Sequence, residues 1–403
     1  MGRLNILYIN HYDHPNDAAA ISSYEIIKSL ASIGHRVTVL TNDSYTNHEA
    51  GFAHVGFRFP RASEGSRFLK FLRCTVAYLP LFLVGLKVGK ERRINCIFSQ
   101  HHQFHLGTLT ASVLSDFLCV PHVVKVQDGI PVRDKGLLKA VYGLSVMKSL
   151  NGYALRRARY ILVLSQELKE MLMKAFGLMS DQLVVFPNTV GTLSVEPKRV
   201  DKMKRALGLQ SKKILIFVGS TRWRGIELLI KALARVLSEE PDAMLVLVSH
   251  DVNHDDLKRL AESLDVEEHV RFIGPVRHSL VPVLISMATV TIGPLVSFYF
   301  TRGAVPRKVL EYMACGRPVV SSYGSTSQDL LIEGYNAILV TSGSVNELYS
   351  AIVSLLRDGK LASKIGKNAK QHIEKFYNRD VLLKKLATLT ETMLPEQYAL
   401  LGC

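Results

Sequence analysis

The stretch Pro306-Arg-Lys-Val-Leu-Glu-Tyr-Met-Ala-Cys-Gly-Arg-Pro-Val-Val-Ser-Ser322 decides how this chain is read. A proline has no N–H to lose and suits the mouth of a helix. The pattern therefore predicts a helix that opens just after Pro306 and ends at Gly316, with a short apolar strand following at once. The first turn of a helix carries unpaired N–H groups and the positive end of the dipole, which favour a bound phosphate. Glu311 stands about a turn inside, where a carboxylate can accept hydrogen bonds from ribose hydroxyls. Phosphate and ribose together make a nucleotide. A plain helix followed by a strand explains the apolar positions, but not the run Pro, Lys, Glu, Gly, Pro in this order.

Working outward, the chain has 403 residues. That length is too great for one ordinary core and predicts two domains of roughly 200 residues each. Lys and Arg number 50 against 35 for Asp and Glu, a formal net charge of +15. Such a balance favours an anionic partner. The basic residues are scattered, with clusters at Lys87-Val-Gly-Lys-Glu-Arg-Arg93 and Leu155-Arg-Arg-Ala-Arg159. They come without a recognition helix, zinc-finger spacing or RNA-binding signature, so nucleic acid is set aside in favour of a nucleotide sugar and a membrane surface. Cys74, Cys96, Cys119, Cys315 and Cys403 are dispersed and form no CxxC pair, which predicts reduced thiols in apolar surroundings. No signal peptide is expected, because Leu4 to Asn10 already reads as strand. Phe68 to Val88 is the longest apolar stretch, but it contains Lys70, Arg73, Pro80 and Lys87. Two readings stand for it: a helix lying on a membrane, or a helix hairpin in the core.

Elsewhere short β-rich runs alternate with amphipathic helices, the pattern of a parallel sheet covered on both faces. In the first half strands are predicted at 4–10, 36–41, 95–99, 121–126, 160–164 and 182–186, and helices at 21–33, 65–89, 105–119, 136–157 and 166–177. Residues 189–200 read as a linker. Strands then follow at 213–218, 243–249, 269–273, 289–293 and 317–321. Helices are predicted at 225–239, 255–264, 278–287, 306–315, 345–357, 360–375 and 379–399.

Strand 213–218 runs into Gly219-Ser-Thr-Arg-Trp-Arg-Gly225. Gly219 permits a tight exit from the strand. Arg222 and Arg224 sit where two guanidiniums can clamp a diphosphate with charge-assisted bonds. A solvated loop would also tolerate them, so the loop gains its meaning from residues 306–322.

Taken together, these segments resemble the retaining GT-B glycosyltransferases. They match the large group 1 type (glycosyltransferase family four) that includes many sugar transferases of cell-envelope polysaccharides. The likeness covers nearly the whole chain and is strongest from 213 to 340. It implies an α/β fold of two Rossmann-like doubly wound domains facing a central cleft. The domains are expected at 1–190 for the acceptor and 191–378 for the nucleotide sugar, with a helix over 379–403 crossing back to the first. It implies donor contacts from Gly219, Ser220, Thr221, Arg222, Arg224, Phe272, Ile273, Gly303, Ala304, Val305, Lys308 and Glu311. The family often has Arg directly after the first glycine and Lys before the second. Here Ser220 and Arg224 stand there, and Arg222 is read as replacing the absent arginine. Many members carry a second glutamate eight positions before Glu311, and here that place is Gly303. Backbone N–H groups of Gly303, Ala304 and Val305 are read as phosphate donors instead.

The loop after the first strand usually has two adjacent glycines, and here Asp17, Ala18 and Ala19 stand near that place. These three, with His102 and His105 after strand 95–99, are the candidate acceptor contacts. Three histidines in this loop (His101, His102 and His105) have no adjacent acidic ligand and fit no common zinc spacing, so no metal is assigned. Asp128, at the end of strand 121–126, is placed to accept the acceptor hydroxyl's proton, with Arg224 supporting the leaving group. Capping of a turn would explain Asp128 as well.

The implied reaction moves a hexose-type unit from a nucleoside-diphosphate sugar to an acceptor hydroxyl with retention of configuration. The acceptor is expected to be a glycan on a polyprenyl carrier. No cofactor is called for; the donor is a substrate. A cytoplasmic location with peripheral contact on the inner face of an anionic membrane is expected. Two other readings stand beside it: a UDP-sugar epimerase on the same scaffold, and a non-catalytic relative, motivated by Gly303.

Overall fold

The computed structural model describes residues 3–9, 18–42, 52–57, 67–101, 107–127, 144–191, 193–221, 224–249, 251, 254–298 and 301–393. The chain forms two compact units, one of Met1–Phe186 with Leu382–Cys403 and one of Pro187–Val381.

In the first unit seven parallel strands are arranged in the order β3-β2-β1-β4-β5-β6-β7. They are β1 (Asn5–Ile9), β2 (Arg36–Asn42), β3 (Ala53–Phe57), β4 (Cys96–His101), β5 (His122–Val126), β6 (Tyr160–Val163) and β7 (Leu183–Val185). The helices are α1 (Ala18–Ser32), α2 (Arg67–Glu91), α3 (Gly107–Leu118), α4 (Leu144–Arg157) and α5 (Gln166–Phe176). Side chains alternate across the sheet. Ile6 and Tyr8 pack on one face with Ile26 and Leu30 of α1, while Leu7 and Ile9 pack on the other with Leu81 of α2 and Leu114 of α3. The first face is completed by the chain's last described helix, α13 (Arg379–Glu391), through Leu382, Leu386 and Leu389, with Met393 beyond it. His35 Nε2 and Thr390 Oγ1, 2.9 Å apart, tie that helix to the end of α1.

The second unit has six parallel strands, β8 (Lys213–Val218), β9 (Ala243–Val248), β10 (Val270–Ile273), β11 (Val290–Ile292), β12 (Val319–Ser322) and β13 (Ile338–Val340). Their order is β10-β9-β8-β11-β12-β13. Its helices are α6 (Pro197–Ala206), α7 (Ile226–Val236), α8 (Asp255–Ser263), α9 (Val281–Met287), α10 (Arg307–Ala314), α11 (Val345–Arg357) and α12 (Gly359–Phe376). Leu215 and Phe217 face α7 and α11, and Ile214 and Ile216 face α9. In both units the strand order reverses beside the first strand. In the second unit this switch point lies between β8 and β11, and in such sheets ligands bind outside the carboxyl ends of the strands.

Three expectations are corrected. The segment read as a linker over 189–200 becomes helix α6 from Pro197. That helix is charged on most positions and buries no residue fully; its apolar stripe is only Val200 and Met203, with Leu207 beyond, partly buried against the core. Phe68 to Val88 does not form a hairpin: it lies in the single helix α2, with Pro80 inside. Among the described residues no helix is long and apolar enough to cross a membrane. Cys119 is exposed, not set in apolar surroundings; Cys96 is buried. Strands β3 and β13 also escaped the sequence pattern; one contains Gly56 and the other is three residues long.

Candidate donor site

The site builds up at the switch point of the second unit. β8 ends at Val218, and Gly219 turns the chain with φ +114, a conformation that suits glycine. Its amide is held by Val248 O at 2.8 Å. Gly225 takes φ +77 at the start of α7, where a Cβ would lie 3.0 Å from that of Leu295. The carbonyl of Arg224 accepts from Leu295 N at 3.0 Å, which fixes the backbone that carries this guanidinium.

Between the two glycines the loop is clamped by Asp251, which follows β9. Its carboxylate accepts from Thr221 N at 2.6 Å, Thr221 Oγ1 at 2.8 Å and Ser220 Oγ at 3.1 Å. Ser220 and Thr221 were expected to meet the donor. Their hydroxyls are turned to Asp251, which shapes the loop.

Helix α10 is anchored over this loop. Tyr312 is fully buried, and its hydroxyl accepts the amide of Val218 at 2.7 Å. That bond joins the end of β8 to the middle of α10. One turn earlier, Lys308 reaches back across the strand end. Its Nζ lies 3.9 Å from the centre of the Phe217 ring, and a Cβ on Gly219 would come within 3.1 Å of it. Burial, and then the nearby Arg224 guanidinium, hold the Lys308 ammonium well below the ordinary lysine range, while Asp251 pulls the other way.

Glu311 is buried, at 6% exposure. Its Oε1 lies 3.0 Å from His278 Nε2 and 3.8 Å from Arg307 Nε. His278 sits in the short turn after β10 and is itself half exposed. The carboxylate is thus held at the rim of the site by a base from another element.

Gly303 is buried with φ +72, and the turn around it is closed by its own backbone. Ala304 N donates to Thr301 O at 3.0 Å, so this N–H, expected to serve a phosphate, is already used. Ser327 N donates to Ala304 O at 2.8 Å, and Asn188 Nδ2 to Val305 O at 3.1 Å. Phe272 and Ile273 are half-buried on β10 and pack against the two core clusters, with the His254 ring 5.3 Å from Phe272.

Two models describe this chain family by family. Residues 199–372 match "Glycosyl transferases group 1", and residues 18–189 match "Glycosyl transferase 4-like domain". The chain belongs to the group 1 glycosyltransferases. Among the relatives of this group 1 chain, an uncharacterised glycosyltransferase of Methanocaldococcus jannaschii is 24% identical over 61% of the chain and 62% of its own length. The GDP-mannose-dependent alpha-(1-6)-phosphatidylinositol monomannoside mannosyltransferase of Mycolicibacterium smegmatis is 28% identical over 53% of the chain and 58% of its own length. The chain thus spans about three-fifths of the length of these curated relatives. In fold, it is similar to Anabaena HepE, solved in complex with UDP-glucose. The TM-score is 0.77 at 18% identity, over 96% of this chain and all of that one.

The structure therefore brings together Gly219, Ser220, Thr221, Arg224, Lys308 and Glu311 of the predicted donor contacts. Asp251 and His278 were missed. Each comes from a loop remote in sequence from the residue it holds, and neither belongs to a motif. A carboxylate just past the strand beside Gly219 was the available signal for Asp251. Arg222, Asp17, His102, His105 and Asp128 lie outside the described residues. Ala18 and Ala19 form the first turn of α1.

In the first unit the ends of β4 and β5 carry a buried polar group of their own. Lys125 Nζ donates to Ser22 Oγ at 2.6 Å, and His101 Nδ1 lies 3.3 Å from Thr108 Oγ1. Ser23 Oγ bonds Gln100 Oε1, and Ser99 Oγ pairs with His122 Nε2 at 2.8 Å. Burial pushes His122 down to about 3.

Proposed function

We propose that this chain transfers a sugar from a nucleoside-diphosphate donor to an acceptor hydroxyl. The observation that carries the reading is the gathering of Lys308 and Arg224 beside a glycine at the β8–β11 switch point, with the Glu311 carboxylate a turn farther along α10. A diphosphate leaving group gains negative charge as the bond between its oxygen and the anomeric carbon breaks. Basic groups fixed there stabilise it without reorganising. Glu311, held by His278, is the carboxylate this reading assigns to the ribose. Relatives named for GDP-mannose and a structural neighbour holding UDP-glucose support a nucleotide sugar and leave the base open.

The finer reading is a retaining transfer to a lipid-linked glycan at a membrane surface. It is supported by the outer face of the first unit. Leu79 and Leu83 of α2 and Phe117 of α3 are exposed at 65%, 56% and 66%. Lys87, Lys90, Arg92 and Arg93 are exposed beside the same helix end. Apolar side chains flanked by basic ones suit an anionic bilayer.

Thermal stabilisation by UDP, GDP and ADP tests the donor site. A ligand at about 100 times its dissociation constant adds about 2.7 kcal/mol to a folded state that alone binds it. One diphosphate should stabilise the wild type and fail with Glu311→Ala and Arg224→Ala. No response to any of the three would remove the donor reading. Sedimentation with phosphatidylglycerol vesicles at low salt tests the membrane part, which fails if Leu83→Glu binds as well as the wild type.

A further inference from the structure

Helix α12 contributes no side chain to the donor site described above, yet it is joined to both elements that carry that site. Gly366 is buried on its inner face. A Cβ there would run into the carbonyl of Gly316, 3.0 Å from its carbon and 3.5 Å from that of Arg317. These are backbone atoms and cannot turn aside, so only glycine lets α12 come this close. Gly316 follows the end of α10 in the left-handed conformation, at φ +68, with its amide on Met313 O at 2.9 Å. Two further bonds leave the same face of α12. Asn368 Nδ2 donates to Tyr335 O at 2.8 Å, and His372 Nε2 to Asp329 O at 3.0 Å. The segment they hold reaches the donor loop, since Ser327 N donates to Ala304 O at 2.8 Å.

Tyr312 makes α10 a lever. Its hydroxyl is fixed to Val218 N at the end of β8. Gly316 lies four residues to one side of it and Lys308 four to the other, about 6 Å each along the helix axis. The bonds from Cys315 N to Glu311 O and from Arg317 N to Tyr312 O, 3.0 and 3.1 Å, run unbroken across the pivot. A push at Gly316 therefore tilts the Lys308 end relative to Gly219. We propose that α12 is the brace of the donor site, with Gly366 and Asn368 as its positioning residues. Gly366 sets the tilt of α10, and Asn368 holds the turn that backs the loop at Ala304. Both act through these elements and neither touches the donor. The proposal rests on the donor reading above and deepens it, by naming what fixes the geometry of that site from behind.

Calorimetric titration with UDP, GDP and ADP tests it, on proteins whose folding is checked by hydrogen exchange in β8 and β9. Gly366→Ala should lower the Tm by about 2–12 °C, the cost of overpacking. In the folded variant it should also weaken the diphosphate that binds by about 10-fold or more. A glycine that serves packing alone would cost stability and leave the affinity of the folded protein unchanged, and that result overturns the proposal. Tyr312→Phe frees the pivot, so in that background Gly366→Ala should weaken binding by less than about 3-fold. The full 10-fold loss there would remove the lever. Should Gly366→Ala fail to fold, Asn368→Ala adds no atoms and deletes one bond of the brace. It should weaken binding by about 2- to 5-fold, and wild-type affinity in that variant overturns the proposal. If none of the three diphosphates binds the wild type, the donor reading itself falls and the proposal with it.

Discussion

In the first unit, the ends of β4 and β5 carry Gln100, His101 and Lys125 buried against Ser22, Ser23 and Thr108. In the second, the ends of β8 and β9 lead to Arg224, Asp251 and the overhanging Lys308. The sheets share one parallel plan, but their polar groups answer to different physics. Hydroxyls, an amide and imidazoles meet there in short hydrogen bonds, although the Gln100 Nε2 and His122 Nδ1 atoms are buried without a partner among the described residues. Lys308 and the Arg224 guanidinium stand around a carboxylate already committed to its own loop, and burial beside the guanidinium weakens the lysine's hold on its proton. The first unit pairs most of its polar atoms within itself; the second gathers basic groups around one carboxylate.

The sharpest separation comes from α13. Leu386 is fully buried in the first unit's core. Leu386→Ala should cost that unit about 2–5 kcal/mol and leave the nucleotide response of the second intact. Loss of that response in a folded variant would break the distinction. Conversely, Glu311→Ala should erase the stabilisation of about 2.7 kcal/mol given by saturating diphosphate without altering hydrogen exchange in β1, β4 and β5. Acid should act on the first unit through His122. Its folded value of about 3 lies below the ordinary 6.5, so between these values the unfolded chain binds a proton that the folded one refuses. Stability is therefore lost as pH falls from 6.5, by about 2 kcal/mol at pH 5. Exchange protection in β4 and β5 should fall over this range, and His122→Gln should flatten the fall; an unchanged slope would remove His122 as its source. His35 adds in the same direction by burial, and His372 of α12 does so in the second unit, opposed by the carbonyl of Asp329. Tyr312→Phe deprives Val218 N of its acceptor and should cost about 1–3 kcal/mol. It should also loosen the diphosphate response, because α10 loses its tie to β8. The smallest effect belongs to the exposed Lys87–Glu91 pair at 3.9 Å. Glu91→Ala should change stability by less than about 0.5 kcal/mol, and a larger change would mean that α2 is held by its surface charges.

The pattern of the sheets was legible because parallel strands buried on both faces read as apolar runs, as in Lys213 to Val218 or Ala243 to Val248. The signature helix was legible because Pro306 opens it, Glu311 lies inside it and Gly316 follows its end. Strand β13 was not, since three residues paired to β12 carry no period of their own. Helix α6 was not, because only Val200 and Met203 mark its inner face among the charged positions. At the site, the loop and helix were found separately, but their joining was not. Tyr312 meeting Val218, Lys308 standing over Gly219, and His278 holding Glu311 are all consequences of strand order. A sequence pattern does not contain the distance between residues so far apart along the chain.

The chain leaves the first unit at Phe186 and rejoins it at Leu382. On the ribosome this reverses the usual order of assembly. Domains generally fold as they emerge, N-terminal first, but here the sheet face bearing Ile6, Tyr8 and Phe98 is only partly covered, by α1, until Leu382, Leu386 and Leu389 have been synthesised. The second unit, continuous from Pro187 to Val381, has every residue of its core in hand before then. The half of the protein made last is the half that can finish first, and the earlier half waits through its synthesis with an oily sheet face that a chaperone would have to shield.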